Sequence, residues 1–250
     1  MDIRLDGKVA LVTGASSGLG ERFATALAES GARVALAARQ LDKLDALRAA
    51  IVKTGGAAFP IALDVTKIAE IDPAVDRIER EFGPIDILIN NSGVSVQKRF
   101  GDYTEADFDF MMDTNAKGAL FVAQSVGRRM LARGQGRIIN IASVAAVKVV
   151  PGIGAYGMTK AAVVQMTKGM AVEWGRRGVN VNAILPGYIE TGMNRDYWAT
   201  EGGKKLISLL PRKRVGQPSD LDGLIVYLAS DASHFVNGAI ISADDGMTAA

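Results

Sequence analysis

Cysteine is absent from this chain of 250 residues, and histidine occurs once, at His234. Without cysteine the protein has no disulfide, no thiolate nucleophile and no Cys-ligated zinc site. A single histidine argues against a Ser-His-Asp triad and against a three-histidine metal centre. We therefore expect no bound metal, and an acid–base enzyme of this composition has to use tyrosine, lysine, aspartate or glutamate as its proton carrier.

Strong charge and long apolar runs are also missing. The net charge is +2, which predicts no broad attraction to nucleic acid or to a membrane surface. Every apolar run is interrupted before about 18 residues, which is too short for a membrane span. The first residues, MDIR, lack the basic start and apolar stretch of a signal peptide. With 48% hydrophobic and 22% charged residues, the composition predicts an ordinary globular protein of the cytoplasm.

Short β-rich runs alternate with longer helical stretches along the whole chain. Strands are predicted at 8–13, 33–38, 57–65, 85–91, 137–143, 179–185 and 238–244. One helix is predicted to follow the glycine turn and to end near residue 30, and another to follow the third strand and to end near residue 82. Further helices are predicted at 41–55, 104–132, 155–177 and 218–230. The strands are almost continuously apolar, as expected when helices cover both faces of a parallel sheet. The sequence thus predicts an α/β protein, a single Rossmann domain over residues 1–250 with a doubly wound parallel sheet of about seven strands.

A glycine-rich turn, TGASSGLG at 13–20, falls between the first strand and its helix. Its glycines, Gly14, Gly18 and Gly20, permit a tight turn and close approach of the backbone to a pyrophosphate. The helix that follows offers free N–H groups and a positive dipole end to the phosphates. The spacing differs from the usual G-x-G-x-x-G, but its position after the first strand indicates dinucleotide binding.

The end of the second strand bears on which dinucleotide is bound. An acidic residue there takes the ribose 2′-hydroxyl of NAD, whereas a basic residue takes the 2′-phosphate of NADP. The strand ends Ala37-Ala38-Arg39, and the first carboxylate is at Asp42. The missing carboxylate and the guanidinium of Arg39 favour NADP(H) over NAD(H).

Polar residues follow the strands at the edge where open α/β sheets bind their ligands. They are Asp64 after the third strand, Asn90–Gly93 after the fourth, Ser143 after the fifth and the Pro186-Gly187 pair after the sixth. Tyr156 opens the helix after the fifth strand, and Lys160 lies one helical turn further on the same face. Each residue alone could be a turn former or a cap, but their convergence beside a dinucleotide loop favours a catalytic site.

These motifs together resemble the short-chain dehydrogenase/reductase family, over essentially the whole chain. The resemblance rests on Thr13–Gly20, Asp64, NNSG at 90–93, Asn115, Ser143, YGMTK at 156–160 and PGYIET at 186–191. Two departures stand out. NNSG replaces the commoner NNAG, and ADDGMT at 243–248 stands where the family often has a glycine pair, which affects a subunit contact or the pocket edge.

The resemblance implies an oxidoreductase that transfers a hydride between NADP(H) and a carbonyl or secondary alcohol. Tyr156 would be the general acid or base, and Ser143 would hydrogen-bond the substrate oxygen. Lys160 would hold the nicotinamide ribose and favour the tyrosinate, and Asn115 would anchor a water that relays the proton. The cofactor would be contacted by Gly14, Ser16, Ser17, Gly18, Leu19, Gly20, Arg39, Asp64, Val65, Asn91, Ser92, Gly93, Tyr156, Lys160, Pro186, Gly187, Ile189 and Thr191.

Residues 188–214 form a variable loop, here called the substrate segment, that would close over a small-molecule substrate. The substrate is expected to contact Ser143, Ala145, Ile153, Tyr156, Tyr188, Met193 and Trp198. Because this set and the segment are rich in apolar side chains, they favour a mostly apolar carbonyl compound over a free sugar.

Two alternatives for the function remain open at the level of sequence. Basic residues at 128–129, 133, 176–177 and 212–214 leave room for a thioester-linked substrate, as in 3-oxoacyl-[acyl-carrier-protein] or acyl-CoA reductases. A non-catalytic NADP-binding sensor is disfavoured, because a sensor has no use for the proton donor Tyr156. Relatives of this kind are commonly homotetramers that pair through the helices at 104–132 and 155–177, so we expect a homo-oligomer.

Overall fold

The computed structural model describes residues 3–192 and 194–249. Seven strands form one sheet, in the order β3-β2-β1-β4-β5-β6-β7, and every neighbouring pair is parallel. The strands are β1 (Val9–Thr13), β2 (Arg33–Ala38), β3 (Ala57–Ala62), β4 (Ile87–Asn90), β5 (Gly136–Ile141), β6 (Val179–Pro186) and β7 (Ile240–Ala243). The predicted parallel sheet is confirmed, with each strand inside its predicted range or within one residue of it.

Helices cover both faces of the sheet. They are α1 (Gly18–Glu29), α2 (Leu41–Lys53), α3 (Ile68–Glu81), α4 (Glu105–Met112), α5 (Ala119–Arg133), α6 (Gly154–Trp174), α7 (Arg195–Ala199), α8 (Glu201–Leu209) and α9 (Asp222–Ala229). One core cluster packs α1, α2 and α9 on one face, and a second packs α3 and α5 on the other. Within the described part of the chain, no helix combines the length and the apolar character needed to cross a bilayer.

The predicted helix over 104–132 is interrupted by a π-helical turn at Asp113–Gly118. A π turn holds one more residue than an α turn, so it changes which side chains face the sheet. Gly118 at its end lies so close to β3's following loop that a Cβ would be 2.8 Å from the Val65 carbonyl oxygen. The turn buries Asn115, the residue that the sequence singles out in this region.

The substrate segment is more regular than the sequence suggests. It contains two helices, α7 and α8, where the sequence predicts a loop-rich stretch. Thr200 explains the start of α8, because its side chain accepts a hydrogen bond from the backbone of Gly203. The helix predicted to reach Arg177 ends as an α-helix at Trp174 and continues as a 3₁₀ turn, Gly175–Arg177.

Candidate functional site

The turn between β1 and α1 forms a cradle of backbone. Gly14 and Gly18 have φ of 66° and 58°, a region that glycine enters without strain. A Cβ at Gly20 would overlap the Gly14 carbonyl oxygen and lie 2.6 Å from Asn91 Nδ2, so only glycine fits there. Ser17 provides no side-chain cap to α1. The first turn of the helix therefore faces the cradle without a competing side-chain acceptor, which fits a bound pyrophosphate.

Thr13 and Asn91 join the cradle to the end of β4. Thr13 Oγ1 accepts from the backbone N–H of Asn91 at 3.0 Å and from that of Ser92 at 3.1 Å. Asn91 Nδ2 donates to the Thr13 carbonyl at 3.0 Å. Sequence reasoning placed Thr13 in the loop but gave it no task. The feature of the sequence that distinguishes Thr13 is a hydroxyl group at the end of an otherwise apolar strand.

The expected adenine end of the site lies after β2 and β3. Asp64 Oδ1 accepts from the Thr66 backbone at 3.0 Å and from Thr66 Oγ1 at 2.8 Å. Burial raises the pKa of Asp64, but the Thr66 hydrogen bonds and the charge of Arg39 outweigh it, so the pKa lies below its usual value. Arg39 itself is exposed. An exposed guanidinium thus stands where the sequence expects the 2′-phosphate.

Ser143 and Tyr156 are brought together by a close contact between the turn after Ser143 and the start of α6. Ser143 precedes a 3₁₀ turn, Val144–Ala146, and its hydroxyl accepts from the Ala145 backbone at 3.1 Å. A Cβ at Gly157 would be 2.7 Å from the Ala145 carbonyl oxygen, so glycine lets α6 approach this turn. Tyr156 and Ser143 interact through their side chains, and burial raises the pKa of Tyr156 more than Ser143 lowers it.

Lys160 is buried one helical turn beyond Tyr156. Its ammonium donates to the Ile141 carbonyl at 2.8 Å and lies 5.7 Å from the centre of the Tyr156 ring. Burial lowers the pKa of Lys160 to about 8. The resemblance implies that this lysine lowers the pKa of the phenol. In the protein chain alone the balance is the opposite, because burial dominates at both groups.

Asn115 ties the loop after β4 to α6. Its Oδ1 accepts from the Val94 backbone at 2.7 Å, and its Nδ2 donates to the Val94 carbonyl at 2.8 Å and to Thr159 Oγ1 at 2.9 Å. Thr159 donates in turn to the Tyr156 carbonyl at 2.7 Å. Sequence reasoning missed Thr159, which nothing but its place between Tyr156 and Lys160 marks out. These bonds fix the amide beside the predicted catalytic residues.

The loop after β6 returns to the glycine cradle. Gly187 donates to the Ala243 carbonyl at 3.0 Å, which holds the loop against β7. Ile189 pairs with Gly216 in an isolated bridge. The Thr191 methyl lies 3.5 Å from a Cβ built at Gly18. The predicted cofactor residues after β1, β4 and β6 therefore share one edge of the sheet.

Aromatic side chains dominate the described part of the substrate segment. The rings of Tyr188 and Trp198 meet edge to face at 5.4 Å, and those of Tyr197 and Trp198 at 5.2 Å. Trp198 is 9% exposed, and its indole N–H has no hydrogen-bond partner. Ala145 lies in the turn after Ser143, and Ile153 precedes α6. Met193, also predicted to touch substrate, lies outside the described residues.

Comparison with known proteins identifies the family of the chain. Residues 14–248 match the family model described as enoyl-(acyl carrier protein) reductase. The chain is 42% identical to a gluconate 5-dehydrogenase of Gluconobacter oxydans strain 621H, over 98% of this chain and 96% of that protein. It is 40% identical to a D-threitol dehydrogenase of Mycolicibacterium smegmatis, over 99% and 95% of the two chains.

A solved structure has the same fold. The gluconate 5-dehydrogenase of Burkholderia cenocepacia J2315, in complex with NADP and tartrate, superposes with a TM-score of 0.96 at 39% identity and covers 100% of this chain and 98% of its own. The resemblance seen in the motifs is thereby confirmed. The chain belongs to the short-chain dehydrogenase/reductase family and is an oxidoreductase acting on hydroxyl and carbonyl groups.

Proposed function

We propose that the protein interconverts a secondary alcohol and its ketone in a polyol or sugar acid, with NADP(H) as the cofactor. The observation that carries the proposal is the meeting of Ser143, Tyr156 and Lys160 at the sheet edge that also bears the glycine cradle. The relatives named for gluconate and D-threitol support the substrate class. The exposed Arg39 and the NADP held by the Burkholderia structure support the cofactor.

Each predicted catalytic residue has a task that its surroundings allow. The bound nicotinamide supplies or accepts the hydride. Ser143 donates a hydrogen bond to the substrate oxygen, and Tyr156 gives that oxygen its proton during reduction or takes it during oxidation. Lys160 holds the ribose hydroxyls and offsets negative charge on the phenol. Asn115 holds the loop and helix that border the path of the proton to water.

The polyol proposal replaces the expectation of an apolar carbonyl substrate. A thioester-linked substrate is the second candidate, and the family model named for an acyl-carrier-protein reductase favours it. The basic residues that would attract such a carrier are largely paired inside the chain. Arg128, Arg129 and Arg133 contact acidic residues of α3, namely Asp72, Asp76 and Glu79. Paired charges attract an acidic carrier less, which favours the free small molecule.

A panel of substrates tests the activity. We expect NADP⁺ reduction with D-gluconate, D-threitol or a related polyol, and slower turnover of 3-oxoacyl thioesters with NADPH. Tyr156→Phe is expected to lower kcat by about a thousandfold or more, because the proton donor is lost, while NADPH affinity changes by less than about threefold. No turnover of any compound, with NADPH still bound, would favour the sensor alternative. Full activity of the phenylalanine variant would contradict the mechanism.

Cofactor preference has its own test at Arg39. We expect Arg39→Ala to weaken NADPH binding by about tenfold or more and NADH binding by little, because only NADPH carries the 2′-phosphate. Arg48→Ala, on the exposed face of α2, is the matched control. Equal losses for the two nucleotides would argue against the preference.

We further propose that the protein works in the cytoplasm as a homotetramer. The helices expected to pair, α5 and α6, expose apolar side chains that a second copy would cover. They are Leu120, Met158 and Val172, which are 40%, 51% and 80% exposed. Removal of this apolar surface from water would favour the proposed contact.

A further inference from the structure

Within residues 3–192 and 194–249, two residues other than glycine adopt a left-handed backbone. They are Lys213, with φ of 52°, and Asp245, with φ of 57°. A side chain at positive φ is strained, and such strain persists where the surrounding contacts over-determine the conformation. The two residues are distant in sequence, yet Asp245 contacts the two arginines that flank Lys213.

Lys213 shapes a turn that aims its two neighbours at one carboxylate. The turn is closed by a bond from the Lys213 N–H to the Leu210 carbonyl at 3.0 Å. Arg212 Nη1 lies 3.1 Å from Asp245 Oδ1, and Arg214 Nε lies 2.6 Å from Asp245 Oδ2. We call Arg212, Arg214 and Asp245 the clasp. It joins the end of the substrate segment to the turn that follows β7.

That turn is itself fixed to residues 143–148, here called the Ser143 wall. Asp244 accepts from the Gly246 backbone at 3.1 Å and from the Thr248 backbone at 2.7 Å, which closes the turn. The Met247 side chain is buried in the core cluster that contains Val144, the residue after Ser143. Lys148, from the same wall, donates to the Met247 carbonyl at 2.5 Å. The turn is therefore a firm support for the clasp.

Open space surrounds the clasp on the side of the substrate segment. A cavity of about 210 Å³ is lined by all three clasp residues together with Tyr188, Leu210 and Met247. Leu210 packs against the core cluster that contains Val144, but residues 212–214 are exposed, so ion pairs rather than apolar packing hold them in place. Hydrogen bonds from Arg214 and Arg212 lower the pKa of Asp245, so its carboxylate is charged at neutral pH.

We propose that Asp245 is a positioning residue, which holds the end of the substrate segment against the Ser143 wall through the clasp and so sets the KM for substrate. Asp245 does not need to touch substrate or cofactor for this. The aspartate belongs to the ADDGMT stretch, which departs from the family's usual glycine pair. The expected effect on KM rests on the proposed function, whereas the attachment of the substrate segment through the clasp does not.

Limited proteolysis with trypsin tests the clasp directly. Trypsin cuts after arginine and lysine. The sites at 212–214 are already exposed to solvent, and release of the segment gives their backbone the freedom to fit the protease. Asp245→Asn removes the charge but keeps the shape, and asparagine tolerates positive φ. We expect cleavage within 212–214, located by mass spectrometry, to be about fivefold faster in this variant than in the wild type. Equal cleavage rates at an unchanged Tm would overturn the proposal.

Glu81→Gln is the matched control. The Glu81 carboxylate also holds two arginines, Arg77 at 3.3 Å and Arg80 at 2.9 Å, but it lies in α3. Loss of the Glu81 ion pairs should leave cleavage at 212–214 unchanged. If Glu81→Gln accelerated that cleavage as much as Asp245→Asn does, the effect would be a general loss of stability and the clasp would have no specific part in it.

Steady-state kinetics test the positioning role on the substrate that the panel selects. We expect Asp245→Asn to raise KM about fivefold, with kcat and the NADPH Kd within about twofold of the wild type. The wild-type KM should rise between about 50 and about 500 mM NaCl because salt screens the clasp, and the rise should be smaller in the variant, which lacks the Asp245 charge. An unchanged KM with faster cleavage would leave a clasp that does not position substrate, which contradicts the proposal. If no compound in the panel turns over, the proposed function fails and the trypsin result still decides the clasp.

Discussion

Gly20 shows how a single missing Cβ shapes the cofactor cradle. We expect Gly20→Ala to weaken NADPH binding by about tenfold or more, because the new methyl group would displace the Gly14 carbonyl or Asn91 Nδ2. Fluorescence titration of NADPH measures the change. Gly223→Ala in α9 is the control, since its Cβ would meet no atom within 4 Å. Equal affinities of the two variants would contradict the cradle.

Lys160 links the catalytic site to stability. Burial lowers its pKa to about 8 from its ordinary value of 10.5. The unfolded chain therefore binds more protons than the folded one between these two values, and stability rises with pH through that window. Below pH 8 the cost of burying this lysine is present in full, and near pH 10.5 it has largely disappeared.

A methionine at this position removes that cost at every pH. We expect cofactor-free Lys160→Met to have its largest stability advantage over the wild type near pH 7.5, and the advantage to shrink by about 2 kcal/mol by pH 10. Urea unfolding at several pH values measures the difference. Lys168→Met, at an exposed lysine of the same helix, is the matched control for the loss of one ammonium group. A constant difference between Lys160→Met and the wild type would contradict the buried, destabilised ammonium.

Helix α4, which leads into the π turn, begins with a capping box. Thr104 Oγ1 accepts from the Asp107 backbone at 3.2 Å, and the Asp107 carboxylate accepts from the Thr104 backbone at 2.9 Å. We expect Thr104→Ala to lower the free energy of unfolding by about 1 kcal/mol, as urea denaturation would show. Thr25→Ala is the control, because Thr25 only bonds back to the Glu21 carbonyl within α1. Equal losses in both variants would argue against the cap.

The elements differ in how well their sequence predicts them. The strands are apolar runs bounded by glycine and polar residues, so β1, β2 and β6 lie where the pattern places them. The π turn at Asp113–Gly118 has no such signal, because its residues suit an α-helix equally well. Helices α7 and α8 are short, and α8 contains Gly202 and Gly203, which have low helix propensity.

At the scale of the whole molecule, the proposed tetramer rests on the exposed faces of α5 and α6. We expect Val172→Glu to shift the protein to a smaller assembly, because a charge in an apolar contact is costly to desolvate. Light scattering after size-exclusion chromatography measures the mass. Val52→Glu, on α2 and 52% exposed, is the control and should leave the mass unchanged. An unchanged mass for Val172→Glu would show that this face is not a contact.

Long-range contacts mark the limit of what the sequence revealed. The sheet edge rule and the family motifs led to Ser143, Tyr156 and Lys160, which the structure places together. The bond from Asn115 to Thr159 spans 44 residues and the clasp spans more than 30, and neither has a local pattern. Side chains that come into contact only after folding produce no local pattern in the sequence from which the contact could be predicted.

The strand order also dictates how the sheet is completed during synthesis. β1 pairs with β2 on one side and with β4 on the other, where Ala10 faces Ile87. One edge of β1 therefore stays unpaired until the ribosome has released β4. On the opposite edge β1 can already pair with β2, and β2 with β3. From β4 onward each new strand adds beside its predecessor, so growth is vectorial. The nascent half-sheet of three strands therefore has an unpaired apolar edge at β1, and unpaired edges of this kind favour aggregation.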